Sequence, residues 1–182
     1  MKKIIQRTLT GEEASLFQKV EPLTVTELIW LPIVYIYSKI TLQRALYLSA
    51  FSTYGIGDGV TAAYMMDNIG VMREANPLAR MMYMSNGKQG IISLKLWFAL
   101  VILFIVWVAS RKTGIYWTIN GFLFALTMGG AMAMRANVMA TLGMAPPSPG
   151  SIIMTFLFMV VLLVMIGDVV DKLHTGRKNH AH

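Results

Sequence analysis

Three charged side chains, Asp58, Lys95 and Arg135, fall inside long apolar runs of the sequence. A charge near the middle of a bilayer costs a few kcal/mol or more, so one that is kept there either holds the structure together or does chemistry. At a rise of about 1.5 Å per residue, counting inward from Asp67, Gly90 and Leu142 puts all three roughly 7 to 14 Å below the same surface. They can therefore share one layer. The loop on that side carries Glu74 and Asn76, and Thr61 and Asn137 are available for the remaining hydrogen bonds. Two negatives, Asp58 and Glu74, then face two positives, Lys95 and Arg135, and the sum is zero. Buried charge is kept for structure in this form, paired and hydrogen-bonded. The rival chemistry is a hard-cation site with Asp58, Glu74, Asn76 and Asn137 as oxygen ligands. Lys95 and Arg135 would repel that cation, which favours the structural network.

Other chemistry finds less support. The chain has 15 Met, and Met81, Met82 and Met84 lie together beside the same surface. Thioethers suit Cu(I), but they also fill irregular apolar space, so copper stands as a second metal alternative and no cofactor is expected. Cys is absent and His174, His180 and His182 all sit in the C-terminal stretch, a poor donor set for zinc. No H-E-x-x-H, G-x-S-x-G or phosphate-loop string occurs, so no enzyme class is indicated. Asp168 and Asp171, beside Lys172 and His174, read as interfacial acids with local partners.

The elements that position these residues must live in lipid. Of 182 residues 55% are apolar and only 14% charged, with mean hydropathy +0.57, whereas soluble domains carry about 25% charged residues. That excludes a water-soluble domain, a disordered chain and a disulfide scaffold. The net charge of +7 comes from basic residues at the ends of apolar segments and in the tails. There they meet lipid head groups and set orientation, so nucleic acid is not an expected partner.

Four segments, 45–66, 90–110, 114–142 and 151–170, can each cross a bilayer as a helix, which takes about 20 residues. They make an all-α membrane bundle over 45–171, preceded by a polar and interfacial segment, 1–44, and followed by a basic tail, 172–182. In the first segment a short helix is expected over 11–17 with Thr10 as its cap, and Pro22 follows it. The start has no signal-peptide run, so the N-terminus is expected to be retained. Residues 28–37, with Trp30, Tyr35 and a central Pro32, are expected to lie in the interface. A fifth span there is the alternative, but it would move Lys2, Lys3, Arg7 and Lys19 outside and erase the charge asymmetry. With four spans both termini are cytoplasmic, and Arg73, Arg80 and Lys88 stay outside. Asn76 before Pro77 predicts a helix start, with a surface helix over 77–84. Gly55 with Gly59, and Gly129 with Gly130, form small-residue faces for close helix packing.

The string Asp58-Gly-Val-Thr61, then Gly70, then Glu74-Ala-Asn76-Pro77-Leu78, then Lys95, resembles an uncharacterised family of small prokaryotic and archaeal membrane proteins with a D-x-x-T, G-x-x-x-E-x-N-P-L signature. The similarity runs from Asp58 to Leu96 and reaches toward Asn137. The resemblance implies a compact multi-pass helical protein and brings no activity; the N-terminal segment and the final span lie outside it.

A small bundle with close-packing faces, a neutral buried cluster and no catalytic string is expected to be a non-catalytic accessory or assembly subunit in the cell membrane. Its partners would be the lipid bilayer and other membrane subunits or a second copy. The alternative is a small carrier or metal-binding protein, using a hard cation at Asp58 and Glu74 or copper at the Met cluster.

Overall fold

The computed structural model describes residues 40–179, so the expectations for 11–17, 28–37 and the last histidines lie outside the described residues. From Thr41 onward every regular element is a helix, and no strand occurs among the described residues. Helix α1, Leu42–Ala50, starts at Thr41, whose hydroxyl accepts the Arg44 N–H at 3.3 Å. It passes into a π-helical segment, Phe51–Gly57, and then into α2, Asp58–Ile69, with helical dihedrals at both junctions. The three pieces form one rod. A π segment inserts a residue into the helical ladder and is common at functional sites. Here the Thr53 hydroxyl reaches the Ser49 carbonyl at 2.9 Å and the Thr127 carbonyl of a neighbouring helix at 3.1 Å. Gly70, at φ 96°, stops the rod in a conformation that L side chains rarely adopt.

After a 3-10 turn, Val71–Arg73, helix α3 spans Pro77–Ala109. Asn76 caps it by accepting the Leu78 N–H at 3.0 Å, with Pro77 at the first position. The surface helix and the span are joined end to end, with one break at Gly87, where φ is 60° and ψ −151°. Helix α4 is Tyr116–Thr141 and α5 is Pro149–Asn179. The helix of α5 thus continues through the boundary expected near 171 and into the basic stretch, helped by a Lys172 to Asp168 contact of 2.6 Å one turn apart. Among the described residues three helices are long and apolar enough to cross a membrane: Pro77–Ala109, Tyr116–Thr141 and the Pro149–Gly176 part of α5. The rod of α1, the π segment and α2 is the fourth helix of the bundle.

That rod is central. Both α3 and α4 pack on it, and α5 packs chiefly on α4. Two apolar clusters form along it, one of Ala50, Leu103, Val106, Ile119, Leu123 and Leu126, the other of Ala62, Ala63, Met65, Met66, Ala79 and Ile91. Asp58 lies on the rod between them. Lipid tails are as apolar as leucine, so helices in lipid associate by close fit rather than by escape from water. The glycines mark where that fit is tightest. A Cβ on Gly55 would stand 3.0 Å from Ala99 Cβ, and one on Gly59 3.3 Å from Lys95 Cβ, so both pack on α3. Gly130 lets α4 meet the backbone of Thr53 and Tyr54, and Gly129 receives the Phe156 ring of α5. A second pair, Gly121 and Gly167, lets α4 and α5 touch backbone to backbone. Outside these contacts the helices present large apolar side chains, Trp97, Phe104, Ile105, Phe158 and Met165 among them, all exposed.

Candidate functional site

Asp58 opens α2 directly after the π segment and is 4% exposed. Its Oδ2 accepts from Lys95 Nζ of α3 at 2.5 Å, and its Oδ1 from Asn137 Nδ2 of α4 at 3.1 Å. Asn137 also donates to Thr61 Oγ1 at 3.2 Å, while the Thr61 hydroxyl donates to the Gly57 carbonyl at 2.8 Å. Residues from three helices are thus bonded at one depth. Lys95 can reach Asp58 because Gly59 lets α3 come close: the Cβ of Lys95 itself packs on that glycine.

Glu74 is also buried and its negative charge acts on Lys95, though no direct ion pair forms between them. Its Oε1 accepts the Asn76 N–H at 2.9 Å. Asn76 spends its side-chain oxygen on capping α3 and is exposed, so it braces the Glu74 loop rather than entering the layer.

Arg135 departs from its expected place. It is exposed and makes no side-chain bond among the described residues. Depth along the helix is right for the layer, but two residues of helix turn a side chain by roughly 200°, so Arg135 points away when Asn137 points inward. The cation that joins Lys95 on this side of the protein is Arg73 instead.

Above the pair lies a cavity of about 1070 Å³, whose wall includes Asp58, Lys95, Glu74, Arg73 and Asn137. Ala133, Ala136 and Ala140 of α4 line its apolar side, with Met65 and Ile69 of α2 and Ile152 and Ile153 of α5. The alanines recur every three or four residues along one face of α4, and their small side chains leave the trough open. Among the described residues no group of three or more His, Cys, Asp or Glu side chains is placed to hold a metal ion. Met81 and Met84 are exposed on the first part of α3, and Met82 is half-buried.

Asp171 is a residue whose role the sequence did not reveal. It is 5% exposed and accepts the N–H groups of Trp117 and Thr118 and the Thr118 hydroxyl, each at 2.9 Å. Those are orphan donors at the start of α4, whose own cap position, Ile115, has no side-chain oxygen. The signal available was that missing cap. At the opposite end of the bundle, Asp67 accepts from Tyr83 and pairs with Lys88, tying α2 to both sides of the Gly87 break.

No curated protein and no solved structure matches the chain. A family model described as a domain of unknown function, DUF5658, matches residues 49–143, from near the end of α1 through the end of α4. The matched stretch contains Asp58, Thr61, Glu74, Lys95 and Asn137 and leaves out α5 and its Asp171. The chain belongs to this uncharacterised family, DUF5658.

Proposed function

We propose that this chain is a non-catalytic, multi-pass protein of the cell membrane that works by holding a small ligand in the cavity above the Asp58 and Lys95 pair. The cavity carries the reading: apolar walls with a few convergent polar groups are the usual form of a small-molecule site. Asp58 has both oxygens engaged, which suits a fixed floor better than a proton or cation carrier. Asp58, Glu74, Asn76 and Pro77, all in the D-x-x-T, G-x-x-x-E-x-N-P-L string, line this cavity, which ties the string to binding. The rod over 42–69 exceeds the roughly 20 residues a span requires, giving four spans. Basic residues then favour both termini inside, with the cavity in the outer half.

The second reading is the accessory or assembly subunit, favoured by α5. That helix packs chiefly on α4 and leaves Ile153, Met154, Leu157, Phe158 and Val161 exposed as a flank for another membrane subunit. Purification in mild detergent with mass spectrometry of everything retained distinguishes the two. A small molecule that co-purifies and is lost on Ala136→Phe, which fills the trough, supports ligand binding. A defined set of other membrane subunits, with no small molecule, replaces it by the accessory role.

A further inference from the structure

The wall of the cavity carries charge of both signs in equal number, Asp58 and Glu74 against Lys95 and Arg73. They are not equally free. Asp58 is committed through both oxygens, to Lys95 and Asn137. Lys95 makes one hydrogen bond through an ammonium that has three N–H donors, so two remain. The Arg73 guanidinium is uncommitted among the described residues. Glu74 holds the Asn76 N–H with Oε1 and has Oε2 to offer. An occupant with an anionic group for Lys95 and Arg73 and a cationic group for Glu74 uses all of this capacity. A purely anionic occupant meets Glu74, and a purely cationic one meets Lys95 and Arg73.

The rest of the wall selects for more than a polar head. At about 1070 Å³ the cavity lies just above the range of roughly 300 to 1,000 Å³ for small-molecule sites. Its wall includes the alanine face of α4 and Ile152 and Ile153 of α5, and Ile153 is 57% exposed. That is a path for alkyl chain leading to the apolar outside of the bundle.

Resting on the binding role proposed above, we infer that the cavity takes a zwitterionic amphiphile: a phosphate and ammonium head over Arg73, Lys95 and Glu74, with its alkyl part along Ala136, Ala140 and Ile153. A membrane phospholipid and a soluble zwitterion share the head chemistry, and the alkyl path assigns the site to the lipid.

The full chain is reconstituted in nanodiscs and probed with labelled phosphatidylethanolamine, labelled phosphatidylglycerol and free glycerophosphoethanolamine. The expected result is selective retention of phosphatidylethanolamine over phosphatidylglycerol by about tenfold, since both carry the phosphate but only the first brings an ammonium to pair with Glu74, and one such charge pair supports that ratio. Glu74→Gln should erase that ratio while binding persists. Arg73→Gln, at an exposed position where unfolding is not at issue, should lower phosphatidylethanolamine retention severalfold. Equal retention of both lipids by the wild type, or a ratio unmoved in well-folded Glu74→Gln, overturns the head-group assignment alone. Tight binding of glycerophosphoethanolamine equal to that of the lipid overturns the lipid source. Failure of all three probes to bind overturns the amphiphile assignment, and the cavity's binding role falls with it only if native purification also yields no small molecule that Ala136→Phe displaces.

Discussion

Lys95 Nζ stands 2.5 Å from Asp58 Oδ2, and Asn137 holds the other oxygen of the same carboxylate at 3.1 Å, so one acid joins three helices inside the apolar layer. Such a pair is expensive to break and cheap to replace. Removing one partner leaves the other charge uncompensated, at a cost of about 3 to 5 kcal/mol, whereas an uncharged pair of similar volume is often neutral. Asp58→Asn with Lys95→Met should therefore be less harmful than the worse single change, measured by thermal melting in detergent. Simple addition of the two effects would mean that the pair is not coupled.

Arg135 gives the contrasting case. It lies at the depth of the pair but on the other face of α4, so Arg135→Leu leaves no buried charge behind. The expected change is within about 0.5 kcal/mol, as for ordinary surface positions. A loss as large as that of Lys95→Met would place Arg135 in the network after all.

The two arginines show how far the sequence can be read. Depth along a helix follows from counting residues, and it brings Asp58, Lys95 and Asn137 to one level. Azimuth does not follow from counting when the interior face of α4 is unknown, and Ala133, Ala136 and Asn137 define that face only once the helices are packed. Arg73 was legible as a loop cation but not as a wall of the cavity, because its position depends on how Gly70 turns the chain. The helix start at Asn76 is local and was readable from residue type, whereas α1 begins at Thr41, ahead of the start expected at 45. The tie from Asp171 to α4 joins residues more than fifty positions apart, and the one local signal, the missing cap at Ile115, does not say which residue supplies the oxygen.

Gly130 tests how tightly the bundle is built. A Cβ there would collide with the backbone of Thr53 and Tyr54 at the π segment, where no flexible side chain can give way. Gly130→Val should force α4 away from the rod and cost about 1 to 3 kcal/mol, the range for overpacking. Because Asn137 is on the same helix, the same variant should also weaken ligand retention in the cavity. Gly150→Ala is the control, since nothing lies within reach of an added methyl there. Equal melting temperatures for the two variants would contradict the close approach.

Asp171 offers a prediction about the opposite end of the bundle. Its carboxylate satisfies two backbone N–H groups and one hydroxyl at the start of α4, a position where the chain supplies no cap of its own. Loss of a capping oxygen costs about 0.5 to 2 kcal/mol. Asp171→Ala should reach the upper part of that range, because the donors it leaves behind are partly buried. Asp171→Asn keeps one acceptor oxygen and should fall between the wild type and Asp171→Ala. The damage should also be local: amide hydrogen exchange at 116–119 rises in Asp171→Ala, while exchange around Asp58 and Lys95 is unchanged. Faster exchange along the whole of α4 and α5 would instead show that Asp171 holds the two helices together, not merely the first turn of one.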